Sequence, residues 1–295
     1  MKLLGGSAAV LLRQTGLAQQ NAIIKLSDNT SLLTGFGCNV LLLTSPDGAL
    51  MVDSGSAEKF SELLKQVNQQ ADGKAVRILF NTHWHADYTG SNAAVRQAGG
   101  KIFAHENTRL WMGVPVKGAQ LKAQPQAAWP TDTFYTKGSL KFGTGSDQDT
   151  VQYGYLPQAH TDGDIYVFLP KANVLMASDV VSVSSYPILD YTTGGWIGGM
   201  LQAVKTLLTI ANADTKIIPG TGPVQSKAGL QAQHDMLAAV MDRLLKLLRQ
   251  GMSAKDMIEA APTKDFDAKW GNPERFIRGA YPGLWGHVRE LGGIV

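Results

Sequence analysis

Residues 81–90 read NTHWHADYTG and directly follow the apolar run VRILF at residues 76–80. This β-branched and aromatic run is typical of a buried strand, so the motif lies where the strand ends. His83 and His85 are separated by one residue, and alternate side chains of an extended segment point to the same side. Asp87 continues the alternation. The stretch therefore predicts two imidazoles and a carboxylate directed at one point, an arrangement that suits zinc.

A catalytic zinc site usually has three protein ligands and a water molecule, so two histidines are not enough. The best third ligand is His160, in the segment LPQAHTDGD at residues 156–164, which lies in a turn between two apolar strands. The remaining histidines follow a strand, lie in a helix, or lie near the C-terminus: His105, His234 and His287. We interpret those three as structural side chains or as outer partners of the metal ligands.

Strand and helix patterns alternate in two successive blocks of the sequence. Two apolar runs at residues 39–43 and 49–52, joined by the turn sequence SPDG at 45–48, predict a hairpin. Residues 106–135 show no clean period, so we interpret them as a loop or short-helix insertion. The spacing of apolar residues predicts helices at 56–70, 91–98, 197–210 and 230–249. The pattern indicates an α/β fold, a four-layer αββα sandwich of two mixed β-sheets with outer helices.

The composition is that of a mildly basic protein of 295 residues with a formal net charge of +3. Its basic residues are scattered, which argues against nucleic acid as a partner. The expected partner is a small-molecule substrate. No window approaches the ~20 apolar residues of a membrane span. Residues 1–20 resemble a secretory signal, so we expect a periplasmic or secreted protein, and otherwise a cytoplasmic one. The oligomeric state stays open.

Five motifs together resemble the metallo-β-lactamase superfamily. They are VDSG at residues 52–55, THWHAD at 82–87, AHTDGD at 159–164, MASDVV at 176–181 and IIPGTGP at 217–223. The resemblance spans residues 30–225, and the combined set is far more specific than H-x-H alone. It implies a metallo-β-lactamase-like domain over residues 21–250. Residues 251–295 are expected to form a C-terminal helical extension packed on the same domain, in which Ser253 and Asp256 resemble a helix-capping pair.

The resemblance also implies a set of metal ligands. His83, His85 and His160 would form the first zinc site. Asp179 would be the bridging carboxylate, and Asp87 would be the aspartate of a second metal site.

Two positions depart from the family pattern, and both belong to the second metal site. Tyr88 follows the motif aspartate, and Thr221 lies in the Pro-Gly-x-Gly turn, where the family has histidines. A phenol and an aliphatic hydroxyl are poor zinc donors at neutral pH. We therefore expect one tightly bound Zn²⁺, with the second site lost or weak. Tyr88 is expected to pack at the rim of the site, or to donate a hydrogen bond to Asp87 or to a substrate.

These residues lead to the hypothesis of a zinc-dependent hydrolase. Zinc lowers the pKa of a bound water towards 7, and the metal-bound hydroxide can then open a cyclic amide, a lactone, an ester or a thioester. Asp87 is expected to orient the hydroxide and to accept its proton. Asp179 would hold the ligand sphere or a second water, and Tyr88 would help to stabilise the oxyanion.

Two alternatives stay open. His83, His160 and Asp179 make up two imidazoles and one carboxylate, the set that holds non-haem iron, so a persulfide dioxygenase-like oxidoreductase is one alternative. Participation of His85 would favour zinc. The other alternative is a catalytically weakened homologue that keeps a metal for its structure.

Overall fold

The computed structural model describes residues 21–115 and 123–288, and within these residues the chain forms two β-sheets. The first sheet has seven strands in chain order: Ala22–Lys25 (β1), Thr30–Thr34 (β2), Val40–Ser45 (β3), Gly48–Val52 (β4), Val76–Phe80 (β5), Lys101–His105 (β6) and Asp132–Phe134 (β7). The second sheet has five neighbouring strands: Lys137–Phe142 (β8), Asp149–Tyr155 (β9), Ile165–Leu169 (β10), Val174–Ser178 (β11) and Lys216–Pro219 (β12).

Both sheets are mixed, as predicted. Strands β1 to β4 pair antiparallel and β4 to β7 pair parallel. In the second sheet β8 to β11 pair antiparallel, whereas β12 runs parallel to β11. The predicted hairpin is β3 and β4, closed by the pair Ser45 and Gly48.

The described helices are Phe60–Gln70 (α1), Ala86–Thr89 (α2), Asn92–Gln97 (α3), Glu106–Gly113 (α4), Ile197–Ile210 (α5), Lys227–Arg249 (α6), Ala254–Glu259 (α7), Asp267–Trp270 (α8) and Glu274–Gly286 (α9). Leu63 and Val67 of α1 and Val95 of α3 pack on the outer face of the first sheet. Helices α5 and α6 cover the outer face of the second sheet, where Met200 and Leu237 join its core.

Strand β3 shows how the sequence separates these layers. Val40 and Leu42 face the helices, whereas Leu41 and Leu43 face the second sheet. Alternate side chains of a strand point to opposite faces, and all four are buried, so this strand lies between two apolar layers. The order helix, sheet, sheet, helix confirms the predicted four-layer αββα sandwich.

The region at residues 106–135 is more regular than predicted. It contains α4, a 3₁₀ turn at Gln126–Ala128 and the edge strand β7, while residues 116–122 lie outside the described part. The short strand was missed because β7 has only three residues, beside prolines and tryptophans that show no alternation. It pairs parallel with β6, and the pairing places it in the sheet despite its weak local signal.

The C-terminal helices pack into the same core as α5 and α6. Met257, Trp270, Phe276 and Leu284 are buried within the cluster that covers the second sheet. The predicted capping pair is a complete capping box at the start of α7, in which Ser253 and Asp256 exchange side-chain-to-backbone hydrogen bonds. The division of the chain at residue 250 stays a prediction.

Among the described helices, none is both long and apolar enough to cross a lipid bilayer. The predicted signal segment, residues 1–20, lies outside the described residues, as do residues 289–295 of the predicted C-terminal extension.

Candidate metal centre

Turns that follow strands of both sheets supply the candidate ligands. His83 and His85 lie in the turn between β5 and α2, which belongs to the first sheet. His160 lies in the turn between β9 and β10, and Asp179 directly follows β11. Among the described residues, these four side chains form a group whose ligand atoms all lie within 4.8 Å of one another. The structure thus brings together all three predicted histidine ligands and Asp179, one of the two predicted carboxylates.

The inward-facing nitrogens lie at the separation expected of ligands that share an ion. His85 Nδ1 lies 3.1 Å from His83 Nε2 and 3.0 Å from His160 Nε2. Two nitrogens bound at 2.0–2.1 Å to a tetrahedral ion lie about 3.3 Å apart. Asp179 Oδ2 lies 3.8 Å from His83 Nε2 and 3.5 Å from His160 Nε2, so it faces the same point from the remaining side.

The outer nitrogens of His85 and His160 determine which inner nitrogens are free of hydrogen. His85 Nε2 lies 3.1 Å from Asp190 Oδ2, and His160 Nδ1 lies 2.8 Å from the carbonyl oxygen of Ile188. A carbonyl oxygen and an ionised carboxylate only accept, so in neutral rings the hydrogens lie on these outer nitrogens. His85 Nδ1 and His160 Nε2 then present lone pairs to each other, a repulsive contact that a cation between them turns into coordination. The residues fit a metal ion.

His83 is oriented through Thr82 and the buried Asp53. Thr82 Oγ1 lies 2.8 Å from Asp53 Oδ2 and 3.2 Å from His83 Nδ1. When Asp53 is ionised, the Thr82 hydroxyl donates to it and accepts from His83 Nδ1–H, which leaves His83 Nε2 bare. Burial and the neighbouring His85 and His160 lower the pKa of His83 well below its ordinary value, which keeps the ring neutral.

Asp53 and Asp190, the carboxylates behind the imidazoles, have pKa values shifted in opposite directions. Burial raises the pKa of Asp53 to about 8, although hydrogen bonds from Thr82 and Ser178 oppose the rise. A divalent cation at the three imidazoles favours the ionised form of Asp53, because opposite charges stabilise each other. Burial would also raise the pKa of Asp190, but its hydrogen bonds with His85 and Thr193 outweigh this and the net shift is downward.

A model of the metallo-beta-lactamase superfamily matches residues 33–222, more than half of the chain. The chain belongs to the metallo-beta-lactamase superfamily. A metallo-beta-lactamase type 2 from Bacillus sp. (strain 170) is 25% identical over 199 residues, which cover 68% of this chain and 72% of that relative. Another from Elizabethkingia meningoseptica is 23% identical over 221 residues, covering 75% of this chain and 83% of the relative.

Solved structures share the fold of this superfamily member. A metallo-beta-lactamase from Pontibacter korlensis aligns with a TM-score of 0.59 and 20% identity over 74% of this chain and 99% of that chain. A stereoselective inverting sec-alkylsulfatase from Pseudomonas sp. aligns with a TM-score of 0.70 and 15% identity over 90% of this chain and 50% of that chain. At these identities the likeness concerns the fold alone.

Tyr88, one of the two departures from the superfamily pattern, is bound to Asp179. Its hydroxyl donates to Asp179 Oδ1 at 2.6 Å, and its ring lies 4.2 Å from that of His83. Burial and the Asp179 charge raise the pKa of Tyr88, so the phenol stays protonated as a donor. The predicted hydrogen bond from Tyr88 to Asp87 is wrong, because the phenol has a single hydrogen and donates it to Asp179. Gly220 leaves room for this pair, since a Cβ there would collide with both oxygens.

Asp87 and Thr221 lie outside the four-residue group. The extended segment ends at His85, and α2 begins at Ala86, so the alternation expected to include Asp87 does not continue. Asp87 is exposed on this short helix. Thr221 is exposed in the turn after β12 and brings no nitrogen to the site.

Sequence reasoning missed the outer partners of the ligands. Asp53 could have been found from the sequence, because it lies in the quoted VDSG motif. In the structure its φ of 63° marks a backbone held in an unusual conformation. Asp190 and Ile188 gave no signal, since they lie in an irregular loop far along the chain from His85. The other histidines lie outside the group, and His105 stacks on Tyr155 at 3.8 Å.

Proposed function

We propose that this protein is a zinc-dependent hydrolase with one tightly bound metal, which opens a cyclic amide, a lactone, an ester or a thioester. The observation that carries the proposal is the convergence of bare nitrogens of His83, His85 and His160 at separations of 3.0 and 3.1 Å. Three imidazoles are a common ligand set of catalytic zinc. The relatives named metallo-beta-lactamase type 2 support the hydrolase class.

A zinc ion bound by these residues would supply an acidified water and polarise a carbonyl group. The chain's own part is to hold the three rings by their outer partners and to place Asp179 on the fourth side. The Tyr88 hydroxyl fixes Asp179 Oδ1, so the other oxygen, Oδ2, faces the imidazoles. We propose Asp87, exposed on α2, as the group that takes the proton of the attacking water.

The proposal of one metal is supported by the partner of Tyr88. In a two-metal site Asp179 would have an oxygen free for the second ion, whereas here Oδ1 accepts the phenol hydrogen at 2.6 Å. Thr221 offers only a hydroxyl, so nitrogen donors for a second ion are missing at both positions.

Metal analysis of natively purified protein tests this proposal. We expect about one zinc per chain, and we expect the His160→Ala variant to lose both the zinc and the hydrolysis of a chromogenic lactam or ester while keeping its circular dichroism spectrum. Two tightly held zinc ions would contradict the single site. Iron together with thiol-dependent oxygen uptake would replace the hydrolase by a dioxygenase, and zinc without any hydrolysis would indicate a catalytically weakened homologue.

A double variant tests whether Tyr88 and Thr221 are the reason why the protein lacks a second zinc site. Tyr88→His with Thr221→His supplies two imidazoles and removes the phenol from Asp179, so zinc content should rise from about one to about two per chain. Tyr88→Phe with Thr221→Val is the matched control, because it removes the same hydroxyls without adding a donor. A zinc content of one in both variants would show that Tyr88 and Thr221 do not determine the stoichiometry.

We also propose export to a periplasm or to the medium, on the strength of residues 1–20. Expression with and without this segment, followed by cell fractionation, tests it. Retention of both forms in the cytoplasm would contradict the proposal.

A further inference from the structure

A cavity of about 140 Å³ lies directly beside the candidate metal centre. Asp179 and Ile188 form part of its wall. Asp179 Oδ2 lies 3.5 Å from His160 Nε2, and the Ile188 carbonyl accepts from the same ring, so the cavity adjoins the ligand sphere. Sites for whole drug-sized ligands measure roughly 300–1,000 Å³, so this cavity suits one small group of a substrate whose remainder lies outside it.

Hydroxyl groups make up much of the polar wall. They belong to Ser182, Ser184, Ser185 and Thr221. Ser184, Ser185 and Thr221 are exposed, and within the described residues their side-chain hydroxyls have no hydrogen-bond partner in the protein. Each hydroxyl can both donate and accept, so the wall can satisfy either kind of polar group.

The described wall residues include no cationic side chain, and a cation held at the candidate metal centre would offset the Asp179 charge. Asp179 is the charged side chain among the residues that line the cavity, and none of the described lining residues is lysine, arginine or histidine. Proteins usually bind a substrate carboxylate with arginine or lysine, and this wall offers neither. A carboxylate placed here would lose hydrating water without gaining a cationic side chain as partner, whereas the wall hydroxyls can bond to an uncharged group.

We propose that this cavity is a substrate subsite for an uncharged hydrogen-bonding group, such as a hydroxyl or an amide, and that it disfavours a carboxylate. The inference rests on the proposed hydrolase function, because it assigns a substrate class to that centre. Neutral hydroxylated esters and lactones would then be better substrates than lactams or esters that carry a carboxylate at the position reaching this cavity.

A binding measurement tests the subsite without any turnover. The full chain is loaded with Co²⁺ and titrated with 3-mercaptopropanol or 3-mercaptopropionate, and the thiolate-to-cobalt absorption band reports binding. The two thiols differ only in the alcohol and the carboxylate. We expect the alcohol to bind about tenfold more tightly, because the carboxylate loses hydrating water and finds no cationic side chain in the cavity. Equal affinity, or tighter binding of the carboxylate, would overturn the proposal.

Variants at an exposed wall position locate the effect. Ser184→Lys adds a positive charge to the cavity, so the preference for the alcohol should vanish at low ionic strength and return in part at high salt. Ser184→Ala, the matched control, should keep the preference for the uncharged thiol. An unchanged preference in Ser184→Lys would show that the thiol tails do not enter this cavity.

Hydrolysis of two matched nitrophenyl esters, one neutral and one with a terminal carboxylate, separates the two proposals. If neither ester is hydrolysed but the cobalt protein still prefers the alcohol, the hydrolase proposal fails and the cavity stands only as a binding site for uncharged groups. If both are hydrolysed and the carboxylate ester has the higher kcat/KM, the subsite fails and the hydrolase stands. A chain that binds no Co²⁺ overturns both.

Discussion

The turn at residues 81–90 and the loop at residues 182–196 both orient the candidate metal centre, but they are held in different ways. The turn is fixed within its own sheet, by the segment that directly follows β4. Ser54 N donates to the Tyr88 carbonyl at 2.8 Å, and the Ser54 hydroxyl donates to Asn92 at 2.9 Å. The loop is fixed by the C-terminal helices, since Tyr186 N donates to the Trp270 carbonyl at 3.0 Å.

Other contacts strengthen the connection between the loop and these helices. The Tyr186 hydroxyl donates to Asp267 Oδ1 at 2.8 Å, and its ring stacks on Phe276 at 5.2 Å. The loop carries Asp190 and the Ile188 carbonyl, the outer partners of His85 and His160. The candidate ligands therefore come from the region matched by the family model, whereas the loop that carries the outer partners of two of them packs on helices beyond residue 222. Three predictions test this contrast, and a fourth concerns the turn that carries His160.

The largest expected effect concerns pH and the turn that carries His160. Burial raises the pKa of Asp164 to about 7, although the neighbouring His160 and the hydrogen bonds from Thr161 oppose the rise. The unfolded chain releases this proton near pH 4, so between about pH 4 and 7 the folded state binds more protons and stability falls as pH rises. A rise of about 3 pKa units corresponds to about 4 kcal/mol in the free energy of unfolding.

Urea unfolding of the metal-free protein from pH 4 to pH 8 measures this effect. The stability advantage of the wild type over Asp164→Asn should shrink as the pH rises, while the advantage over the exposed control Asp214→Asn should stay nearly constant. A constant difference from Asp164→Asn would contradict the raised pKa.

Removal of a ligand from the turn at residues 81–90 should have the next largest effect. His85→Ala deletes the nitrogen that lies 3.0 and 3.1 Å from the other two imidazoles. We expect zinc affinity to fall by more than about 100-fold, beyond the range typical of outer partners. Competition with a chromogenic chelator measures the affinity. His234→Ala, which removes a histidine outside the group, should bind zinc as the wild type does.

Removal of an outer partner from the loop should have a smaller effect. Asp190→Ala leaves His85 Nε2 without its carboxylate at 3.1 Å, and we expect zinc affinity to fall about 10- to 100-fold. The matched control Asp235→Ala removes the carboxylate beside His234. If Asp190→Ala behaves like this control, the loop does not orient the metal ligands.

The smallest expected effect tests the helices that hold the loop. Tyr186→Phe removes the hydrogen bond to Asp267 but keeps the ring against Phe276, so the free energy of unfolding should fall by about 1 kcal/mol. Zinc affinity should fall as well, but less than in Asp190→Ala. Tyr281→Phe, in α9 of the same extension, is the control. Loss of stability without any loss of zinc affinity would show that the C-terminal helices do not influence metal binding.

Local patterns made much of this molecule predictable from its sequence. The hairpin of β3 and β4, the helix α5 and the ligands His83, His85 and His160 follow from apolar spacing and motif order. The predicted alternation stops before Asp87, because the backbone changes from extended to helical at Ala86 and period-2 reasoning fails at that point.

The partners that connect distant segments were not predictable from such patterns. Asp190 lies 105 residues from His85, and Tyr88 lies 91 residues from Asp179. Only the folded arrangement of the two sheets brings them together. A departure such as Tyr88 could be recognised in the sequence, but its actual partner could not.

The ligands are divided between the two sheets, with His83 and His85 on the first and His160 and Asp179 on the second. An ion held by all four would act as a removable cross-link between the halves of the sandwich. The free energy of binding the ion would then add to the stability of the fold, by an amount that rises with the logarithm of the free metal concentration. Metal scarcity would thus loosen the whole domain, and a chelator would behave towards this protein as a mild denaturant.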